Sequence, residues 1–139
     1  MYHTVILVGN LGRDPEMRYT PSGQGVTNFS VAINDNYTSN TGEKVERTIW
    51  VRVSTWGKLA ESCNTYLKKG SKVLVEGRLV ADQATGGPRI WNRQDGTPSA
   101  SFEVSAVTVR FLSSRSDVDS GYSEEGSGSA GDIDDSIPF

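Results

Sequence analysis

Cysteine and histidine are almost missing from this 139-residue sequence: Cys63 and His3 are the single copies of each. One cysteine cannot close a disulfide within a chain, which suits a reducing compartment. No clustered His, Cys or acid spacing suggests a metal site. His3, beside the amino end, reads as a bystander rather than a general base. Long apolar runs are missing too, and no stretch approaches the length of a membrane-spanning helix. The opening MYHTVILVGNLG lacks the charged-then-apolar layout and cleavage site of a secretory signal. A cytoplasmic chain is therefore expected, with no catalytic residues, metal or cofactor. Apolar residues make up only 35%, below the globular average, so part of the chain contributes nothing to a core.

That part is visible in the charge. Residues 1–112 carry 13 Lys and Arg against 10 Asp and Glu, a balance of +3, whereas 113–139 carry one Arg against seven acids. The sequence pI of about 5.1 thus describes the tail and not the body. Of the 27 tail residues, 12 are Gly or Ser. Such a segment cannot bury enough apolar surface to offset the entropy of ordering, so it is expected to be disordered. The expected division is a domain over 1–112, a flexible linker over 113–131 and an acidic tip over 132–139.

Within the body, period-2 alternation dominates. Thr4–Asn10 is a short apolar run suited to a strand buried on both faces. Its apolar Val5, Ile6, Leu7 and Val8 fit a subunit interface and simple burial equally. Val26–Ile33, Arg47–Ser54, Lys72–Val80 and Ala100–Leu112 supply four more strands. The last changes parity between Val104 and Val107, which calls for a bulge near Ser105–Ala106. Between the second and third strands the polar stretch 34–46, with Asn40-Thr41-Gly42 as a turn, reads as a hairpin arm. One helix interrupts the order: Leu59, Cys63, Tyr66 and Leu67 form an apolar stripe. Lys68 and Lys69 are expected in its last turn and Gly70 as its left-handed stop. Five strands with a helix between the third and fourth predict a mostly all-β fold, a Greek-key barrel of the OB type. Gly9-Asn10-Leu11-Gly12 is a turn leaving the first strand; Arg13-Asp14-Pro15 follows it, not a phosphate-binding helix start.

The chemistry concentrates in RTIWVRVSTWGK, residues 47–58. Strand geometry puts Ile49, Val51 and Val53 on one face and Trp50, Arg52, Ser54 and Trp56 on the other. Two tryptophans flanking an arginine away from the core are either covered by loops or a subunit, or form a platform on which unpaired bases stack. Tyr37 in the polar arm and Trp91, between Arg89 and Arg93 and before an Asp95-Gly96 turn, extend the pattern of aromatics among positive charges. Duplex reading would need a protruding basic helix. The one helix here spends its best face on Leu59, Cys63 and Leu67 and exposes Glu61, Asn64 and Thr65. Alternatives are an RNA-binding or primosome-accessory protein, and a protein-interaction barrel whose tryptophans are interface residues.

VILVGNLGRDPEMRYTPSGQGVTNFSVA, then TIWVRVSTWGKLAE, then YLKKGSKVLVEGRL, closely resemble the bacterial single-stranded DNA-binding protein family. The likeness spans residues 1–112 in order and returns in the terminal DDSIPF. It implies an OB-fold subunit that assembles as a homotetramer and wraps single-stranded DNA during replication, recombination and repair, with the bacterial nucleoid as its location. The family's stacking aromatics carry over to Tyr37, Trp50, Trp56 and Trp91, and its basic contacts to Arg18, Arg52, Lys58 and Lys69. Arg89 and Arg93 join them on proximity to Trp91. Two departures stand out: Ala81–Pro88 looks like an insertion ahead of Trp91, and the linker lacks the Gln- and Pro-rich sequence of many relatives. Treated as flexible, 113–131 spans about 20–25 Å.

The tip DIDDSIPF ends an otherwise polar segment in an apolar anchor. Asp132, Asp134 and Asp135 keep it soluble and away from phosphates, while Ile137, Pro138 and Phe139 suit an apolar pocket. The α-carboxylate of Phe139 adds a charge for a partner's Arg or Lys, and Pro138 lowers the ordering cost. The tip is therefore expected to bind partner proteins, and the family resemblance implies that these are replication, recombination and repair proteins.

Overall fold

The computed structural model describes residues 1–113. The expected tip, and all of the expected linker but Ser113, lie outside them. The elements are β1 (Val5–Leu11), β2 (Glu16–Tyr19), β3 (Gly25–Asn34), β4 (Tyr37–Thr38), β5 (Lys44–Val45), β6 (Thr48–Trp56), α1 (Gly57–Tyr66), β7 (Lys72–Leu79), β8 (Ile90–Asn92), β9 (Pro98–Ala100) and β10 (Phe102–Phe111). Hydrogen bonding runs β1-β7-β10-β6-β3, and β1 pairs again with β3, which closes a five-stranded barrel. Its β10–β6 pairing is parallel and the others are antiparallel. With α1 between its third and fourth strands, this is the OB-type Greek-key barrel that the alternation predicts.

Inside, valines from every barrel strand but β1 meet: Val31, Val53, Val73, Val75 and Val104 are almost fully buried, with Phe29, Leu11 and Leu67 around them. Burying such a side chain contributes about 1.5–3 kcal/mol relative to leaving it in water. Closure forces backbones together at two places. A Cβ on Gly9 would strike the carbonyl oxygen of Ala32, and one on Gly77 that of Ser105. Only glycine permits that approach.

α1 caps the barrel through a threonine relay. Thr27 Oγ1 donates to the carbonyl of Ala60 (2.7 Å) and Thr55 Oγ1 to that of Thr27 (2.9 Å), both hydroxyls buried. Cys63 is fully buried beneath the helix, and that burial pushes its thiol up to about 11. It stays protonated near neutral pH and packs as a small apolar residue.

The helix departs from expectation in two ways. It ends at Tyr66, so Lys68 and Lys69 lie beyond its last turn. Leu67 is already extended, and the N–H of Lys68 donates to Ser71 Oγ (3.0 Å). Gly70 does take a positive φ of 89°, but in the turn that returns to β1, where its N–H donates to the Leu11 carbonyl. Tyr66 leaves the apolar stripe: it is exposed and tilts against Phe111, ring centroids 6.0 Å apart. The helix buries Ala60 and Cys63, and Leu67 is buried just past its end.

Two strand readings are also corrected. β1 is not covered on both faces, since Ile6 is 59% and Val8 43% exposed in the single chain. Gly9, Asn10 and Leu11 remain in β1, so the turn begins only at Gly12. The bulge expected near Ser105–Ala106 is present in β10: the register shifts between Ala106 and Thr108, which leaves Val107 as the extra, outward-facing residue. β2 was not legible, because EMRY is short and mostly polar. The arm turn holds as read: Ser39 and Glu43 close it, with Gly42 at φ 84°.

Candidate nucleic-acid interface

The outer face of β6 and β3 is built by alternation. Opposite residues across the pair are Trp56 and Val26, Ser54 and Asn28, Arg52 and Ser30, Trp50 and Ala32. β2 extends two of these rows, with Arg18 beside Val26 and Glu16 beside Asn28. At the Arg52–Ser30 and Trp50–Ala32 rows a large side chain on β6 thus faces a small one on β3, so the sheet presents a trough there rather than a plane. Ser54 Oγ donates to Asn28 Oδ1 (2.8 Å) on its floor.

Two adjoining cavities of about 720 and 380 Å³ lie over this trough and share Arg13, Ser30, Arg52 and Ser101. Trp50, Arg47, Pro88 and Phe102 line the larger, and Trp91, Asp14 and Glu16 the smaller. Together they make one groove that runs from Trp50 past Arg52 to Trp91. The segment 81–88, despite its length, folds into a compact turn: Asp82 Oδ1 accepts the N–H groups of Ala84 and Thr85 (2.9 and 3.0 Å). Those hydrogen bonds, led by Thr85, hold the Asp82 carboxyl below the usual carboxylate range. The hairpin of β8 and β9 then turns at Asp95-Gly96 and carries Trp91.

The expected residues divide into groups. Trp50, Arg52 and Trp91 share the groove. Arg18 and Trp56 share the row at its far end, with Lys58 exposed in the first turn of α1. Tyr37 sits on the arm, apart from the trough, in a hollow of about 350 Å³ with Asn36, Thr38 and Lys44. The four rings are 44–53% exposed. Lys69 is exposed after α1, its backbone N–H donating to Asp14 Oδ1 (2.8 Å). Arg93 stays on its hairpin, donating to Ser99 Oγ (3.4 Å).

Arg89 is differently engaged. Its guanidinium grips Glu103 through two bonds of 2.8 and 2.7 Å, and this hydrogen bonding and charge raise its pKa further. Glu103 lies beside Arg52 across the β10–β6 pairing, so Arg89 neutralises an anion that would otherwise sit next to that cation.

Sequence reasoning missed Arg13, Arg47 and Gly12. Arg47 pairs with Asp35 and lies over the Tyr37 ring, 5.3 Å from its centroid. It joins the arm to the groove. A signal existed in its place next to the aromatic strand, but its partners are 12 and 10 positions away, on the arm. Gly12 leaves room for Trp50: a Cβ there would lie 2.6 Å from the ring atom Cη2 and closer still to Cζ3. Those atoms are the free end of the side chain, so a larger residue displaces the ring and not the barrel. Gly12→Ala should therefore change the emission of Trp50, measured with Trp56 and Trp91 replaced by Phe, while the melting temperature moves by no more than a few degrees. Unchanged emission would show that Gly12 does not set the ring's position.

Comparison with known proteins agrees with this geometry. Residues 2–112 match the single-strand binding protein family. A single-stranded DNA-binding protein of Wolinella succinogenes is 39% identical over 125 residues, covering 90% of this chain and 73% of that one. Its Neisseria meningitidis counterpart is 40% identical over 125 residues, covering 89% and 68%. Among solved structures, a deletion mutant of the single-stranded DNA binding protein from Thermus aquaticus superposes with a TM-score of 0.63 at 31% identity. That match covers 81% of this chain and about half, 51%, of the other. A Plasmodium falciparum homologue, in complex with single-stranded DNA, gives 0.67 at 25% identity and covers 81% and 97%. With the barrel, the aromatic trough and these matches together, the chain belongs to the single-strand binding protein family.

Proposed function

We propose that this protein binds single-stranded DNA with little regard to sequence and protects it in replication, recombination and repair, as a non-enzymatic component of the bacterial cytoplasm and nucleoid. The observation that carries this function is the groove joining Trp50, Arg52 and Trp91. Every base has a flat face, so stacking on tryptophan is tolerant of sequence, while Arg13 and Arg52 supply positive charge for the backbone. Trp56 with Arg18 and Lys58, and Tyr37 on its arm, extend the path; Lys69 and Arg93 are peripheral contacts. Titration with oligo-dT should quench tryptophan fluorescence, and affinity should fall steeply with salt. Trp50→Ala should weaken binding by about 1–3 kcal/mol per base it contacts. No quenching at low salt would overturn the assignment, and tighter binding of oligo-rU than oligo-dT would favour an RNA role.

The exposed Ile6 and Val8 form an apolar strip along the outside of β1, with Leu74 opposite Val8 and Glu76 opposite Ile6 across the β1–β7 pairing. Such a strip supports assembly through β1, and a homotetramer is the state proposed. Light scattering should return four times the 15.1 kDa chain mass, and Val8→Glu should lower it. A monomeric parent would refute the assembly.

The tip, Asp132–Phe139, is proposed to recruit replication, recombination and repair proteins through Ile137, Pro138 and Phe139, with Asp132, Asp134 and Asp135 keeping it off the DNA. Removing 132–139 should abolish capture of those proteins and leave affinity for oligo-dT equal or slightly higher. A large loss of affinity for DNA would contradict this division of labour.

A further inference from the structure

Phe102 is placed where its sequence parity does not put it. It alternates in phase with Val104, which is 2% exposed, yet Phe102 is itself 67% exposed. The cause is position along the strand. Phe102 is the first residue of β10, and although its partner Val51 still belongs to the core, Phe102 itself lines the larger cavity. The ring lines that cavity with Trp50, Ile49, Pro88 and Arg47. Among the described residues it has no aromatic partner, since the one ring pair is Tyr66 with Phe111. A phenyl ring left in water at the lip of a cavity forgoes its burial free energy, and a cavity of about 720 Å³ falls within the range that holds small ligands.

The neighbouring cation is pre-set. Arg47 gives Nε (3.0 Å) and one terminal nitrogen to Asp35 Oδ2. A guanidinium has five N–H donors, so three remain. The ion pair fixes the fork at the cavity wall, over the Tyr37 ring. The start of β10 is likewise fixed, by the Arg89–Glu103 pair and by the N–H of Val80 on the Glu103 carbonyl (3.0 Å).

We propose that Phe102 and Arg47 form a further nucleotide subsite of the groove, a base stacking on Phe102 while Arg47 holds the adjoining phosphate; this presupposes the single-strand binding proposed above. The subsite would place a nucleotide between the Trp50 end of the trough and the arm that carries Tyr37.

The test uses the full chain and oligo-dT at fixed salt, with Phe102→Leu, Phe102→Trp and Trp50→Ala. Leucine keeps the apolar bulk and removes the flat ring. Phe102→Leu should lose about five- to a hundredfold in affinity at an unchanged melting temperature, Phe102→Trp should bind as the parent, and an abasic deoxyribose oligomer should not distinguish Phe102→Leu from the parent. If Trp50→Ala weakens binding and Phe102→Leu does not, the subsite is refuted while the groove stands. If neither weakens it, single-strand binding by this groove fails as well. Equal losses on dT and abasic oligomers would refute base stacking. Should Phe102→Leu not fold, photocrosslinking of the parent to an oligomer carrying 5-iododeoxyuridine decides. A crosslink at Phe102 supports the subsite, and crosslinks at Trp50 without any at Phe102 overturn it.

Discussion

The double pairing of β1 is the constraint on which the rest of the molecule depends. Val5–Asn10 pair with β7, and Asn10 and Leu11 pair with β3. One seven-residue strand therefore has to curl across both partners, which a twisted sheet does only where backbones can touch. Gly9 against Ala32 provides that contact between β1 and β3, and Gly77 against Ser105 allows the same close approach between β7 and β10. Once the ring is closed, the inner faces of five strands share one core and the outer face of β3 and β6 is left as a curved trough.

The trough owes its depth to unequal side chains. Ser30 and Ala32 on β3 face Arg52 and Trp50 on β6, and Gly12 lets the Trp50 ring lie low against the chain leaving β1. Charge is arranged on the same principle of clearance. The two ion pairs among the described residues are Arg47–Asp35 and Arg89–Glu103. The second removes an anion from beside Arg52. The first spends part of a guanidinium to hold the rest in place. Both pairs are more than a third exposed on the arginine side, so their contribution to stability is small and their main effect is positional.

The alternation in RTIWVRVSTWGK was enough to separate Val51 and Val53 from Trp50, Arg52 and Trp56, and the structure keeps that separation. The arm turn at Asn40-Thr41-Gly42 and the hairpin turn at Asp95-Gly96 were legible for a like reason: each is set by a few adjacent residues. What escaped were relations between distant segments. Arg47 gains its meaning from Asp35 and Tyr37, Gly12 from Trp50, and Arg89 from Glu103. The helix end escaped because the hydroxyl of Ser71, beyond the stripe, takes the N–H of Lys68.

By itself, the sequence determined which side chains share a face, because strand geometry turns alternate residues to opposite sides whatever surrounds them. Only the tertiary structure decided which of those faces are covered. Val26 has the outer parity and is 4% exposed; Phe102 has the inner parity and is open. Ile6 and Val8, apolar in sequence, are left uncovered by the single chain. Coverage depends on where the barrel begins and ends and on what crosses it. Those are properties of strands brought together from far apart in the chain, and no local pattern contains them.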